Sequence, residues 1–168
     1  MRLIGLAGWS GAGKTTLLVR LIPCLAGRGV GVSTIKHAHH AFDVDRPGKD
    51  SWEHRQAGAR QVLVGSALRW ALMTELRGAP EPDLRFLLSR LSPVDLVIVE
   101  GFKRDAHPKI EVHRGANGKP WRHPEDPAIA AIASDTRPIG TDLPWAHLDD
   151  VERIADLVLR YAVDSTEF

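Results

Sequence analysis

The chain is poor in cysteine, in net charge and in long apolar runs. Its single cysteine, Cys24, excludes an internal disulfide and a zinc site built from several cysteines, and suits a reducing compartment. A formal net charge of +1 provides no general field for polyanions, so nucleic acid is not expected as a main partner. No apolar run approaches the length that crosses a bilayer, so no membrane association is expected.

The length and composition favour one soluble domain. A chain of 168 residues can bury one good core but is short for two, and 43% hydrophobic with 26% charged residues is typical of a globular protein. The apolar N-terminal patch runs into a glycine-rich loop instead of a small-residue cleavage site, so no export signal is expected. We therefore predict a single cytoplasmic domain over residues 1–168.

The stretch GWSGAGKT, from Gly8 to Thr15, fits the phosphate-loop pattern G-x-x-x-x-G-K-[ST] at every fixed position. An apolar strand precedes it and a helix follows it, which is the context that the motif requires. Backbone N–H groups and the helix N-terminus would then face a phosphate chain, Lys14 would reach the β- and γ-phosphates, and Thr15 would bind Mg²⁺. The predicted loop contacts to nucleotide are Ser10, Gly11, Ala12, Gly13, Lys14, Thr15 and Thr16.

Together with the phosphate-loop motif, hydrophobic patterning predicts an α/β fold of the P-loop NTPase type, with a mostly parallel sheet flanked by helices plus an antiparallel hairpin and edge strands. Strands are predicted at 2–8, 30–36, 61–64, 68–73, 95–99, 109–113 and 128–133, and helices at 14–27, 51–59, 82–91 and 149–162. Pro23 should kink or shorten the first helix, and Ser51 should cap the second. Residues 109–113 alternate like a half-exposed strand, and 115–127 form an irregular insertion.

A carboxylate opposite the phosphate loop is needed to hold Mg²⁺ or its water. Glu100 ends an apolar strand and precedes Gly101, which is where such a carboxylate is expected; the alternative is that it merely ends a buried strand. Asp50 offers a second carboxylate after the second strand. Asp43 and Asp45 compete with it for that role.

A series of segments in a fixed order extends these motifs over most of residues 1–162. They are GWSGAGKTT at 8–16, TIKHAHH at 34–40, FDVD at 42–45, PGKDS at 47–51, EHR at 53–55, RWALM at 69–73, VEGFK at 99–103 and PKIEV at 108–112. Together they resemble the MobB family of molybdopterin-guanine dinucleotide biosynthesis adapter proteins.

This resemblance implies a GTP-binding adapter with weak or no GTPase activity, which assists the guanylyltransferase that attaches GMP to molybdopterin. It also implies homodimers formed through extended strands, with molybdopterin and other cofactor-synthesis proteins as further candidate partners. The VEG segment and the acid after the second strand resemble those of dethiobiotin synthetase, which implies that Thr15, Asp50 and Glu100 share Mg²⁺.

His37, His39 and His40 invite a metal-site interpretation, but neighbouring residues on an extended segment point to opposite faces and no cysteine accompanies them. We favour contact with phosphate, pterin or a partner. Lys36, at a strand end beside the phosphate loop, is expected to contact nucleotide.

Recognition of guanine requires an acceptor for the ring N–H and the amino group, and no Asn-Lys-x-Asp string supplies one. Asp135, after a buried run, is the candidate; the alternative is that it forms the turn before Thr136.

The alternative function is a P-loop small-molecule kinase, which needs an arginine-rich lid that the sequence does not reveal.

The 61–73 hairpin and the 109–113 strand offer more strand than the sheet can hide, so we predict pairing with a second copy.

Overall fold

The computed structural model describes residues 1–38 and 42–167. These residues form two compact units, one made of residues 1–37 with the chain from 87 onward, and one of residues 38–86. The strands are β1 (Arg2–Ala7), β2 (Val32–Lys36), β3 (Gln61–Gly65), β4 (Trp70–Thr74), β5 (Leu96–Glu100), β6 (Lys109–His113), β7 (Ile129–Ser134), β8 (Trp145–His147) and β9 (Val163–Asp164). The helices are α1 (Lys14–Gly27), α2 (Asp50–Gln56), α3 (Leu84–Leu88) and α4 (Val151–Tyr161), with one 3₁₀ turn at Gly115–Asn117.

The first unit is built on a seven-stranded sheet in the order β2-β5-β1-β6-β7-β8, with β9 beside the start of β1. All pairs along that order are parallel, and β9 is antiparallel to β1. The predicted mostly parallel sheet is therefore confirmed. Because the strands run the same way, their carboxyl ends meet at one edge, where parallel α/β sheets bind ligands.

Helices α1 and α4 supply the apolar core that packs against this sheet. Leu17, Leu21 and Leu25 recur every four residues and are buried, as expected for one face of α1. In α4 the buried face is Ile154, Ala155, Leu157 and Val158.

The predicted alternatives at Pro23 were a kink or a shortened helix, and α1 is not shortened. Pro23 lies on an exposed face, and so does Val19 four residues earlier. Pro23 has no N–H to donate to the Val19 carbonyl. Because both residues face solvent, water can hydrate that carbonyl instead.

Strand β6 differs from its prediction. Its five residues are all buried, because it lies between β1 and β7 and not at an exposed edge. The charged residues that made it look half-exposed are paired inside: Lys109 Nζ lies 3.1 Å from Asp126 Oδ2, and Glu111 accepts two backbone N–H groups. This strand therefore offers no edge for a second copy.

The second unit contains α2 and the antiparallel hairpin β3–β4, as predicted. Its helix begins at Asp50 with Lys49 at the N-cap, so the predicted cap at Ser51 is wrong; the Ser51 hydroxyl donates instead to Asp45 Oδ1 at 2.9 Å. In the described residues, no helix combines the length and apolar character needed to cross a bilayer.

Candidate nucleotide site

The phosphate loop connects the end of β1 to the start of α1. Gly8, Gly11 and Gly13 have positive φ angles of 151°, 79° and 92°. At Gly8 a Cβ atom would lie 2.4 Å from the Val112 carbonyl oxygen of the neighbouring strand. Only glycine allows this close approach, so the motif's first position is fixed by packing against β6 as well as by loop conformation.

Lys14 is folded back onto the loop that carries it. Its Nζ donates to the carbonyl oxygens of Gly8 at 2.9 Å and Trp9 at 3.0 Å. Burial lowers the pKa of Lys14, with Glu100 opposing that shift and three nearby cations, Lys103, Lys36 and Arg122, adding to it. One carboxylate and three cations therefore act on this ammonium.

Glu100 lies at the carboxyl end of β5, in register with Leu6 of β1. Its side chain is 14% exposed, with Oε2 at 3.9 Å from Lys36 Nζ. The chain then turns at Gly101, with φ of 103°, where a Cβ would lie 2.5 Å from His37 Cβ. His37 N donates to the Glu100 carbonyl at 2.8 Å. The ends of β2 and β5 are thus held together, which brings Lys36 and Glu100 to one edge beside the phosphate loop.

Residues 114–123, hereafter the covering segment, lie against the phosphate loop. Asn117 Nδ2 donates to the Ser10 carbonyl at 2.9 Å, and Trp9 Nε1 donates to the Pro120 carbonyl at 2.9 Å. The predicted irregular insertion therefore contributes directly to the surroundings of the loop.

Two arginines of the covering segment approach this loop. Arg114 Nη2 lies 3.4 Å from the position that a Cβ would take at Gly13, and the Arg122 guanidinium lies 5.1 Å from the centroid of the Trp9 ring. Glu111, 1% exposed, accepts the backbone N–H of Arg122 at 2.7 Å and that of His123 at 3.0 Å.

The structure brings together the predicted loop residues, Lys36 and Glu100 in the first unit. Asp135 follows β7, and its Oδ1 accepts the Gly115 N–H at 2.8 Å, which ties it to the turn after β6. Asp50 is the exposed first residue of α2, in the second unit.

Asp43 and Asp45, the competitors of Asp50, both pair with Arg55, at 2.8 Å and 3.4 Å. Asp50 makes no ion pair within the described part of the chain.

Of the three histidines that the sequence singled out, the structure describes His37. His39 and His40 lie outside the described residues, and the His37 ring lies 5.1 Å from the Phe102 ring. Among residues 1–38 and 42–167, no three His, Cys, Asp or Glu side chains form a metal-binding group. A magnesium site that includes a threonine hydroxyl and bound water would not be of that kind.

Sequence reasoning missed Arg114, Asn117, Arg122 and Glu111. A signal was present: the 109–113 strand places charged residues within a β-rich region, and three basic residues follow it closely at 114, 119 and 122. Charged residues on a central strand are expensive to bury unless they are paired, so their presence indicates a built polar site.

Comparisons with known proteins agree with this geometry. A family model described as MobB, molybdopterin guanine dinucleotide synthesis protein B, matches residues 3–135. The chain is 49% identical over 162 residues, 95% of this chain and 92% of the relative, to the molybdopterin-guanine dinucleotide biosynthesis adapter protein of Escherichia coli K12. It is 43% identical to the protein of that name from Haemophilus influenzae, over 93% of this chain and 86% of the relative.

Solved structures give the same result. A crystal structure of molybdopterin-guanine biosynthesis protein B has a TM-score of 0.74 and 32% identity, covering 94% of this chain and 97% of that one. Bacillus subtilis MobB, at 23% identity, shares the fold with a TM-score of 0.73 and coverage of 98% and 100%. The chain therefore belongs to the MobB family.

Proposed function

We propose that this chain binds GTP with Mg²⁺ on the phosphate loop and acts as an adapter for the guanylyltransferase that forms molybdopterin-guanine dinucleotide. The names of its bacterial relatives support the adapter role. The observation that carries the nucleotide part is the phosphate loop between β1 and α1, with its left-handed glycines and with Lys14 Nζ lying against two loop carbonyls. We further propose that residues 1–168 act as one nucleotide-binding domain in the cytoplasm.

The electrostatics of the site favour an anionic ligand. Lys36, Lys103 and Arg122 all lower the pKa of Lys14, behind burial as the main cause, and Glu100 is the carboxylate that opposes them. Like charges that act on one another in a partly buried site repel unless a counter-charge offsets them. A phosphate chain supplies that charge, and Lys14 can exchange its two loop carbonyls for phosphate oxygens.

Thr15 and Glu100 fit a magnesium ion that accompanies the nucleotide. Mg²⁺ prefers oxygen ligands and keeps several waters, so one hydroxyl and one or two carboxylates are enough. Glu100 is poorly exposed, and its Oε2 lies 3.9 Å from Lys36 Nζ. We propose Asp50 as the third member, because Asp43 and Asp45 are engaged by Arg55. The ion would neutralise phosphate charge and orient the phosphate chain.

We propose that Asp135 recognises guanine. Its position after β7 places it at the same sheet edge as Glu100, and its contact with Gly115 N fixes its orientation. A carboxylate that accepts both guanine donors would favour GTP over ATP, because adenine offers an acceptor where guanine has the ring N–H.

The proposed homodimer rests on the second unit. Leu63, Trp70 and Leu72 share one face of the β3–β4 hairpin, since Leu63 is opposite Leu72 and Gly65 is opposite Trp70. Their exposed fractions are 64%, 67% and 46%, and Leu68 at the turn is 88% exposed. A second copy could bury this apolar surface and pair with its strands.

The test is reconstitution with a purified guanylyltransferase, molybdopterin, GTP and Mg²⁺. We expect the chain to raise the yield of the dinucleotide, and we expect Lys14→Ala to lose that effect. In the same assay the isolated chain should release phosphate slowly or not at all. Rapid turnover of triphosphate that depends on a small acceptor, without any partner protein, would instead support a small-molecule kinase.

A further inference from the structure

We propose that Arg122 binds the phosphate chain of the nucleotide on the loop, and that the covering segment is the device that holds it there. The inference rests on the proposed function, because it adds a contact to the same site. It gives the site an arginine from its own chain, between β6 and β7, in a region that the phosphate-loop motif does not include.

The covering segment is tied to the loop by backbone contacts on both sides. Asn117 donates to the carbonyl of Ser10, and the Trp9 indole donates to the carbonyl of Pro120. One hydrogen bond to the loop backbone and one from a loop side chain therefore fix the middle of this segment. Its regular structure is a single 3₁₀ turn, Gly115–Asn117.

Arg122 forms no ion pair with any carboxylate of residues 1–38 and 42–167. Its Nε is buried and has no hydrogen-bond partner within the described residues. By contrast, Arg28 pairs with two carboxylates and Arg55 with three. A half-buried guanidinium without an anion carries a desolvation cost, which an anionic ligand at the phosphate loop would offset.

The surroundings direct the charge of Arg122 toward the loop. Its guanidinium lies over the Trp9 ring, and its charge acts on Lys14. Glu111 accepts the backbone N–H groups of Arg122 and His123, and its Oε2 also lies 3.0 Å from His123 Nδ1. Glu111 therefore fixes the backbone without neutralising the guanidinium. An arginine presents several donors in a planar fork that matches phosphate oxygens, and it stacks on aromatic rings, so both contacts suit this residue type.

Calorimetry with two probes, inorganic pyrophosphate and GTP with Mg²⁺, tests the proposal. Arg122→Ala should weaken binding of both probes by about 10- to 100-fold, the range expected for loss of a charge-assisted contact. Arg122→Lys should recover part of the loss, since it keeps the charge but not the fork. Arg160→Ala is the matched control, because Arg160 also lies over an aromatic ring, that of Tyr161, at 5.4 Å.

Trp9 is a positioning residue in this scheme, and a double-mutant cycle separates that role from a general structural one. Trp9→Ala should weaken pyrophosphate binding in the natural chain but add little in the Arg122→Ala background. Trp9→Phe should retain most of the affinity, because a ring under the guanidinium remains.

The outcomes are distinct. If the natural chain binds neither probe, the proposed nucleotide site is wrong and this inference is wrong with it. The same conclusion follows if the Lys14→Ala variant binds both probes as tightly as the natural chain does. If binding depends on Lys14 while Arg122→Ala and Arg122→Lys both match Arg160→Ala, the nucleotide site stands and the role of Arg122 is wrong. Thermal unfolding of each variant without ligand identifies any misfolded protein, and Arg122→Lys decides the question if Arg122→Ala does not fold.

Discussion

Replacing Lys14 separates its hydrogen bonds within the loop from the phosphate contact that we propose for it. Without nucleotide, Nζ donates to two loop carbonyls at 2.9 and 3.0 Å, each such bond contributing about 0.5–1.5 kcal/mol. Its removal also loses the attraction of Glu100, while it relieves the burial of a charge and the repulsion from Lys36, Lys103 and Arg122. These effects oppose one another, so we expect Lys14→Met, which keeps most of the stem, to change the free energy of unfolding by about 1 kcal/mol or less.

Nucleotide binding should respond far more strongly. A charge-assisted hydrogen bond to phosphate contributes about 1.5–3 kcal/mol, so Lys14→Met should raise the dissociation constant for GTP with Mg²⁺ by about 10- to 150-fold. Calorimetry measures the affinity and urea unfolding measures the stability of the same samples. An unchanged affinity for GTP would refute the assignment of the phosphate loop, and an equal loss in both measurements would make Lys14 a structural residue.

Three further predictions concern other parts of the chain. Glu100→Gln should weaken GTP binding with Mg²⁺ more than in EDTA, and equal losses in calorimetry would make Glu100 a strand-end residue. We expect the natural chain to sediment as a dimer at micromolar concentration and the Trp70→Glu variant as a monomer; a natural monomer would count against the hairpin interface. Burial, aided by Lys109, lowers the pKa of His107 from 6.5 to about 4. The unfolded chain therefore binds that proton first as the pH falls, and stability is lost between about pH 6.5 and pH 4. His107→Gln should flatten this part of the urea-unfolding profile, and profiles of equal slope would contradict the assignment.

The phosphate loop and Glu100 were predictable because their signals are local. The loop motif fixes residue types at set positions between one strand and one helix, and both elements appear where expected, at Arg2–Ala7 and Lys14–Gly27. Glu100 follows a continuous apolar run, which is typical of a strand buried on both faces. The structure has that strand paired in parallel with β1 and β2, so its end must lie beside the loop.

Short strands and caps were not predictable in the same way. Strand β8 has three residues and β9 has two, which is too few to show the alternation of apolar and polar residues that is typical of a strand. Pairing with β7 and β1 respectively makes them strands, and such partners are distant in the sequence. At α2 the helix begins one residue before Ser51, so Ser51 lies inside the first turn, where its hydroxyl donates to Asp45 Oδ1.

Strand β6 shows why alternation of charged and apolar residues is an ambiguous signal. Such a pattern normally places the charged residues in water, but a charged side chain can equally face a partner that the sequence supplies elsewhere. Glu111 finds its donors 11 and 12 residues later, and it lies in register with Ala7, the last residue before the phosphate loop. A carboxylate that is 1% exposed would be costly there without those bonds. Glu111 also accepts the backbone N–H of Arg122, so a contact of the buried strand holds the backbone of this arginine beside the phosphate loop, where we propose that it binds phosphate.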